Sequence, residues 1–290
     1  MQTDYVQRFL FESLDIRGRL VCLTSAWQRM LEGRGYPERI VSLLGHTTAL
    51  NVLLGANQKG AGRVTLQVQG TGPVRLLVAD CTPELQIRGM AQFEAPADHG
   101  TARLNGGLTE RALLGDGRLS VTLEDLKTGQ FYQSLVPLEG ETLEDIFEHY
   151  LSQSEQVSSF VRLFADAGAL CGLLLEKLPG ADLKDPDGWN RVKHLAGTLR
   201  LDETRDAQPY DLLTKLFPEE LMRVFRLYGV EYHCPYDADK VKEMLRALGR
   251  SEVESILAEK GEVVIRNEMC NHEYRFDARA IEALFAGAGR

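Results

Sequence analysis

The sequence lacks any hydrophobic run long enough to cross a lipid bilayer. Its longest apolar stretches, at residues 169–175 and 74–79, are far shorter than the roughly 20 residues that a membrane helix needs. Residues 1–5 contain neither the basic segment nor the apolar segment of a secretory signal. We therefore expect a cytoplasmic protein with no membrane partner.

An excess of positive charge is also lacking. The 33 lysines and arginines face 42 aspartates and glutamates, which gives a net charge of -9. Such a surface repels phosphate backbones, so we expect no general binding of nucleic acid. Hydrophobic residues make up 44% and charged residues 26% of the 290 residues, which is typical of a soluble globular chain with room for two domains.

Signatures of known catalytic sites are missing as well. The sequence contains no phosphate-binding loop, no dinucleotide-binding turn, no zinc-protease motif and no serine-hydrolase elbow. Five histidines have no serine, cysteine or aspartate partner at a motif spacing, and they are His46, His149, His194, His233 and His272. The acidic residues of 139–145 are typical of a solvated helix start. We predict that the protein is not an enzyme.

Cysteines are few, and their number is odd. Five cysteines at wide spacings argue against a framework of structural disulfides. Cys22, Cys81 and Cys171 each lie in or beside an apolar segment, so we expect them in the core. Cys234 and Cys270 lie in polar surroundings and are candidates for chemistry.

The order of predicted elements indicates an α+β fold with antiparallel sheets. Alternating apolar residues predict strands, helical spacing predicts a helix over 38–54, and no βαβ order appears. The predicted strands are 16–21, 62–70, 74–80, 85–93, 117–123, 131–136, 159–165 and 170–178. Shorter helices are predicted to begin at Ser25 and to span 143–150.

The composition changes near residues 179–180, which predicts three segments. Residues 1–179 form the predicted α+β core, residues 180–230 a helical linker and residues 231–290 a small C-terminal unit. The predicted linker helices cover 189–201, 210–217 and 221–228. These helices are thin and amphipathic, so we expect them to lie on another surface.

The C-terminal unit is predicted to combine helices with one hairpin. A helix over 239–248 precedes a second helix, for which Ser251 and Glu254 have the spacing of a capping box. Strands at 262–265 and 274–276 are predicted to pair, and Asp277 is predicted to cap a final helix.

The ordered set of motifs resembles the redox-regulated thirty-three-kilodalton heat-shock chaperone family along almost the whole chain. The segments that carry the resemblance are RFLFE at 8–12, IRGRLV at 16–21, LQVQGTGP at 66–73, IRGMA at 87–91, YLSQSEQ at 150–156, GLLLEKLP at 172–179, EVESILAE at 252–259 and YRFD at 274–277. The resemblance implies an ATP-independent holdase that binds unfolding proteins and that forms a homodimer. It also implies a C-terminal zinc site of four cysteines, arranged as CxC and CxxC, whose oxidation releases the metal.

The sequence departs from this family at the zinc site itself. Cys234 stands at the first cysteine of CxC, but Tyr236 occupies the second position. Asn267 stands at the first cysteine of CxxC, and Cys270 keeps the second. Two of four switch cysteines therefore remain, one in each motif, so neither motif can form its own disulfide.

Three interpretations of these remnants stay open. In the first, no metal binds, and Tyr236 and Met269 fill the site by packing. In the second, Cys234 and Cys270 hold zinc with help from a neighbouring histidine, but this ligand set matches no standard spacing. In the third, the two thiols form one disulfide. If the family's fold is kept, two thiolates from one zinc site would lie about 3.8 Å apart, near bonding range.

We predict that holdase activity is kept and that redox control is weakened or altered. The alternative is a non-chaperone regulatory or scaffold protein with the same fold. No cofactor is expected, since zinc is the weaker interpretation of the remaining cysteines. The apolar residues predicted to bind clients are Trp189, Leu195, Leu199, Leu212, Leu216, Phe217, Leu221 and Phe225.

Overall fold

The computed structural model describes residues 4–57, 62–94, 108–205 and 207–286. The chain divides into two compact units, Met1–His233 and Cys234–Arg290. The described residues contain no helix long and apolar enough to span a membrane. The predicted linker, residues 180–230, lies within the first unit, while the division into three functional segments stays a prediction.

The first unit contains two sheets and eight described helices. Its strands are β1 (Tyr5–Phe11), β2 (Ile16–Leu23), β3 (Gly62–Gly70), β4 (Val74–Cys81), β5 (Gln86–Phe93), β6 (Gly117–Asp125), β7 (Phe131–Pro137), β8 (Ser159–Ala165), β9 (Leu170–Lys177), β10 (Met222–Val224), β11 (Tyr228–Gly229) and β12 (Glu231–Tyr232). Its helices are α1 (Ser25–Leu31), α2 (Glu38–Gly55), α3 (Glu110–Leu114), α4 (Leu143–Ser154), α5 (Ala181–Lys184), α6 (Gly188–Ala196), α7 (Leu201–Thr204) and α8 (Pro209–Leu216).

Both sheets are built from antiparallel neighbours, as the sequence pattern predicts. The first sheet has the order β10-β1-β2-β9-β8, with β11 also paired to β1. The second has the order β12-β5-β4-β3-β6-β7, in which only the short β12 runs parallel to its neighbour β5. The α+β fold class is therefore confirmed.

Helix α2 lies in the main core of the first unit. Its residues Ile40, Leu44 and Leu53 are fully buried and belong to the same apolar cluster as Leu66 of β3 and Leu174 of β9. A helix that is apolar on most of its faces is expected where it has neighbours on both sides. The sheets thus share one core through α2.

A second apolar cluster covers the opposite face of the first sheet. Helices α6 and α8 contribute Val192, Leu212 and Leu213, which pack with Phe9 of β1 and Leu173 of β9. The expectation that the thin linker helices lie on another surface is therefore confirmed.

The helix predicted over 221–228 is wrong. Residues Met222–Val224 form strand β10, in which Val224 pairs with Phe9 and Met222 with Phe11. The outer edge of β1 carries backbone groups that need partners, and this pairing satisfies them. A local helical pattern is a weak signal that such a tertiary pairing overrides. The first strand was also missed, since Tyr5–Phe11 pairs with β2 as a full hairpin.

The second unit consists of helices α9 (Ala238–Leu248), α10 (Arg250–Lys260) and α11 (Ala278–Ala286) with the hairpin β13 (Val263–Asn267) and β14 (His272–Phe276). Its buried core is small and comprises Leu245, Val253, Val263, Tyr274, Phe276, Ile281 and Leu284. Asp277 caps α11 as predicted, since its carboxylate accepts the Ala280 N–H at 2.8 Å. The cap predicted at Ser251 is wrong, because α10 begins at Arg250 after Gly249, whose positive φ of 96° suits glycine.

Candidate functional site

Cys234 and Cys270 form a disulfide within the second unit. Their Cα atoms lie 5.6 Å apart, inside the range of about 4.4–6.8 Å that disulfides require. Cys234 precedes α9, and Cys270 lies in the turn between β13 and β14. The structure therefore matches the third interpretation, a single bond that joins the two motif remnants.

Side chains of the hairpin turn position Cys270. The Asn267 Oδ1 atom accepts the Cys270 N–H at 3.3 Å. Asn271 has a positive φ of 58°, a conformation that asparagine adopts more readily than most residues. Its side-chain oxygen accepts a hydrogen bond from Arg266 Nε at 2.9 Å. Asn267 thus stabilises the turn that holds Cys270.

Tyr236 is held by aromatic packing. Its ring stacks on Tyr274 with centroids 4.5 Å apart and meets His272 edge-on at 5.8 Å. The His272 Nε2 atom lies 3.3 Å from the Cys234 carbonyl oxygen. The Asp237 N–H donates to the Tyr274 hydroxyl at 3.0 Å. An aromatic cluster therefore lies beside the disulfide.

These residues do not fit a four-thiolate zinc site. A four-thiolate zinc site needs four cysteines, and only Cys234 and Cys270 are present here. Asn267 and Tyr236 are engaged in the contacts described above and supply no thiolate. Across the described ranges, no group of three or more histidine, cysteine, aspartate or glutamate residues is arranged to hold a metal ion.

A second candidate surface is the apolar face beneath the predicted linker. The eight residues predicted to bind clients differ in how far their side chains are exposed. Leu199, Leu212, Leu216 and Phe217 are buried, and Trp189 and Leu195 are partly buried against the same cluster. Leu221 and Phe225 are exposed, at 66% and 41%. Six of the eight therefore belong to, or pack against, the apolar cluster that covers the first sheet.

An aromatic contact joins this segment to the sheet, and ion pairs join parts of the segment to each other. The Phe217 ring packs edge-on against Phe11, with centroids 4.9 Å apart. Arg191 of α6 pairs with Glu220 at 2.7 Å and with Asp185 at 2.9 Å. Because Arg191 is partly exposed, these ion pairs contribute little stability. Burial of the apolar side chains is the main force that keeps the segment closed.

An ion cluster centred on a buried carboxylate joins β2 and β9, two neighbouring strands of the first sheet. Glu176 of β9 accepts hydrogen bonds from Arg17 at 2.8 and 2.9 Å and also pairs with Arg19. Burial acts to raise the pKa of the Glu176 carboxyl, but Arg19 and Arg17 together hold that pKa below its ordinary value. The cluster therefore keeps Glu176 ionised inside the protein.

One polar arrangement was missed by sequence reasoning. The His46 Nδ1 atom lies 3.1 Å from the Glu110 carboxylate, and its Nε2 atom lies 3.5 Å from the Ser42 hydroxyl. Ser42 and His46 share a face of α2, but Glu110 comes from α3, so spacing gave no signal. Burial raises and His46 lowers the pKa of Glu110, and the net pKa is below the ordinary value. Ser42 lies inside a helix, where its backbone N–H is used by the helix and cannot form an oxyanion hole.

Comparison with known proteins places these features in a family. The family model described as Hsp33 protein matches residues 4–277. The 33 kDa chaperonin of Methylobacillus flagellatus is 37% identical over 98% of this chain and 94% of its own length. That of Pseudomonas fluorescens is 36% identical over 100% and 96%. The crystal structure of the 33 kDa chaperonin from Thermotoga maritima has the same fold, with a TM-score of 0.80, 21% identity and 98% coverage of both chains. The chain therefore belongs to the Hsp33 family of heat-shock chaperones.

Proposed function

We propose that this protein is a cytoplasmic, ATP-independent holdase that binds partly unfolded proteins and prevents their aggregation. The observation that carries the proposal is the apolar cluster between the first sheet and the linker segment. Release of that segment would uncover two matching apolar surfaces, one on the sheet and one on the helices. Exposed apolar patches of this kind bind the apolar segments that unfolding proteins present.

The control of this activity is proposed to differ from that of a four-cysteine zinc switch. A zinc switch loses its metal on oxidation and so loses the folding energy that the metal supplies. Here oxidation joins Cys234 to Cys270 and constrains the second unit. We therefore propose a protein without resident zinc, in which the bond stabilises the second unit and its reduction, or heat, loosens that unit.

The test is the heat-induced aggregation of a model enzyme, followed by light scattering. Three states of the full chain are compared: the oxidised protein, the protein reduced with a phosphine, and the variant Cys234→Ser/Cys270→Ser. We expect all three to suppress aggregation, with the reduced protein and the variant at least as effective as the oxidised one. If no state suppresses aggregation at a several-fold molar excess, the protein is a scaffold or regulatory binding protein instead.

The protein is proposed not to be an enzyme, despite the alignment of Ser42, His46 and Glu110. A serine nucleophile needs donors for the oxyanion, and the helical position of Ser42 leaves its own N–H committed. A fluorophosphonate probe is expected to leave Ser42 unlabelled. Labelling that disappears in Ser42→Ala would contradict this.

A homodimer is also proposed, on the basis of the family resemblance alone. Analytical ultracentrifugation of the full chain at low micromolar concentration tests it. A single species with the mass of one chain would contradict the proposal.

A further inference from the structure

Two buried cysteines of the first unit face each other across neighbouring strands. Cys22 of β2 is in register with Cys171 of β9, and their sulfur atoms lie 3.1 Å apart. Both are free thiols, and their side chains are 4% and 0% exposed. Residues opposite each other on antiparallel strands have Cα atoms about 4.5–5.5 Å apart, which lies within the range of about 4.4–6.8 Å that a disulfide spans.

The linker segment covers this pair. Cys22 and Cys171 belong to the apolar cluster that Leu199, Leu212 and Phe217 complete from the linker side. The Thr204 hydroxyl at the end of α7 lies beside the Cys171 thiol. The thiols are therefore closed from solvent by the same segment whose release would uncover the proposed client surface.

Burial also suppresses the chemistry of the pair. It raises the pKa of the Cys171 thiol well above its ordinary value, and the thiolate rather than the thiol is the reactive form. A covered pair thus stays reduced even when an oxidant is present in the solvent. Uncovering restores water to the sulfurs and brings that pKa back toward its ordinary value.

We propose that Cys22 and Cys171 are a dormant dithiol that closes into a cross-strand disulfide when the linker segment leaves the first sheet. The site is independent of the Cys234–Cys270 bond, because it lies in the other compact unit. It also stands whether or not the protein holds clients, since it depends only on the two thiols and their cover. The bond needs a small movement, as the sulfurs close from 3.1 Å to about 2.05 Å.

A peroxide supplies the oxidant by chemical class. Hydrogen peroxide oxidises one thiolate to a sulfenic acid, and the cleaved O–O bond yields one water once a proton is taken up. The sulfur of the second cysteine then attacks the sulfenic sulfur, the S–S bond forms and a second water leaves. The two cysteines together lose two electrons and two protons, which the peroxide receives.

The experiment uses the full chain with Cys234→Ser and Cys270→Ser, so that the other disulfide cannot form. The chain is treated with hydrogen peroxide, and the peptide that joins Cys22 to Cys171 is quantified by mass spectrometry. The test variant is Phe217→Ala, which removes the ring packed on Phe11. The matched control is Phe225→Ala, an exposed aromatic residue of the same segment. Alkylation of Cys81, a thiol buried in the other apolar cluster, reports opening of the main core.

We expect the joined peptide to form at least tenfold faster in Phe217→Ala than in the parent or in Phe225→Ala, with Cys81 alkylation unchanged. If Cys22 and Cys171 are accessible to an alkylating agent but peroxide produces no joined peptide, the proposal is overturned. Equal rates in all three proteins would overturn the role of the linker.

If Phe217→Ala also opens the main core, a second measurement on the parent chain still tests the proposal. The parent chain is oxidised over a temperature series below its melting transition, and the rate of joining is divided by the rate of Cys81 alkylation. A ratio of at least ten supports opening of the linker alone. A ratio near one would show that only global unfolding uncovers the pair, which would overturn the proposal.

Discussion

Loss of the Cys234–Cys270 bond is expected to destabilise the second unit by about as much as its core can stabilise it. The bond joins residues separated by 36 positions. The chain-entropy relation for such a loop gives about 13 cal/mol/K, or about 4 kcal/mol at 25 °C. A core of the size found in this unit rarely supplies more than about 3–5 kcal/mol. Reduction is therefore expected to leave the unit marginally folded.

Hydrogen exchange measured by mass spectrometry provides the assay. Amides of Val263–Asn267 and His272–Phe276 form the hairpin of this unit. Their protection is expected to fall roughly 10²–10³-fold in Cys234→Ser/Cys270→Ser, because about 1.4 kcal/mol corresponds to a factor of ten. The amides of β3, in the first unit, should keep their protection. Phosphine treatment should reproduce the loss in the wild type and add nothing in the variant.

Protection in the variant within tenfold of the wild type would refute this reasoning. It would mean that the contacts of Tyr236 with Tyr274 and His272, together with the apolar core, hold the unit without the bond. Loss of protection in β3 as well would show that the bond acts on more than its own unit.

Three further perturbations test other parts of the structure. Phe217→Ala is expected to lower the free energy that holds the linker segment on the first sheet by about 3–5 kcal/mol, measured by urea-dependent hydrogen exchange of α8. The control Phe225→Ala, at an exposed residue, should change this free energy little. Glu176→Gln should destabilise the first unit by about 3 kcal/mol at pH 7, since it leaves buried Arg19 unpaired. Because the pKa of Glu176 is lowered in the folded protein, its ionised form stabilises the fold fully above the unfolded-state pKa of about 4.3. That stabilisation is lost as the pH falls through the folded-state pKa, so the melting temperatures of wild type and variant should converge below that pH. Tyr236→Cys with Asn267→Cys should create a zinc site, measured as metal per chain.

Local sequence patterns predicted much of the fold, because the relevant forces act between near neighbours. The alternation of Val64, Leu66 and Val68 identified a strand with one buried face, and all three are buried. Cys22 and Cys171 were placed in the core from their apolar surroundings alone, and both are buried.

The misses arise where distant segments meet. Strand β10 forms because β1 has an edge to satisfy, and nothing within residues 222–224 announces that partner. The approach of Cys22 to Cys171 depends on the register of β2 against β9, which the spacing of the two cysteines does not contain. For the same reason, sequence alone left three interpretations of Cys234 and Cys270 open.

The variant Tyr236→Cys with Asn267→Cys tests whether oxidation stabilises or destabilises the second unit. In the wild type, oxidation forms a bond that constrains the second unit, so hairpin protection should rise. With Tyr236→Cys and Asn267→Cys, the reduced unit would instead be stabilised by zinc, and peroxide would consume the thiolates that hold the metal. Hairpin protection should then fall on oxidation as zinc is released. Tyr236→Cys alone, which supplies only three thiols, is the matched control. Zinc binding without this reversal would show that the metal, once bound, is not what keeps the unit folded.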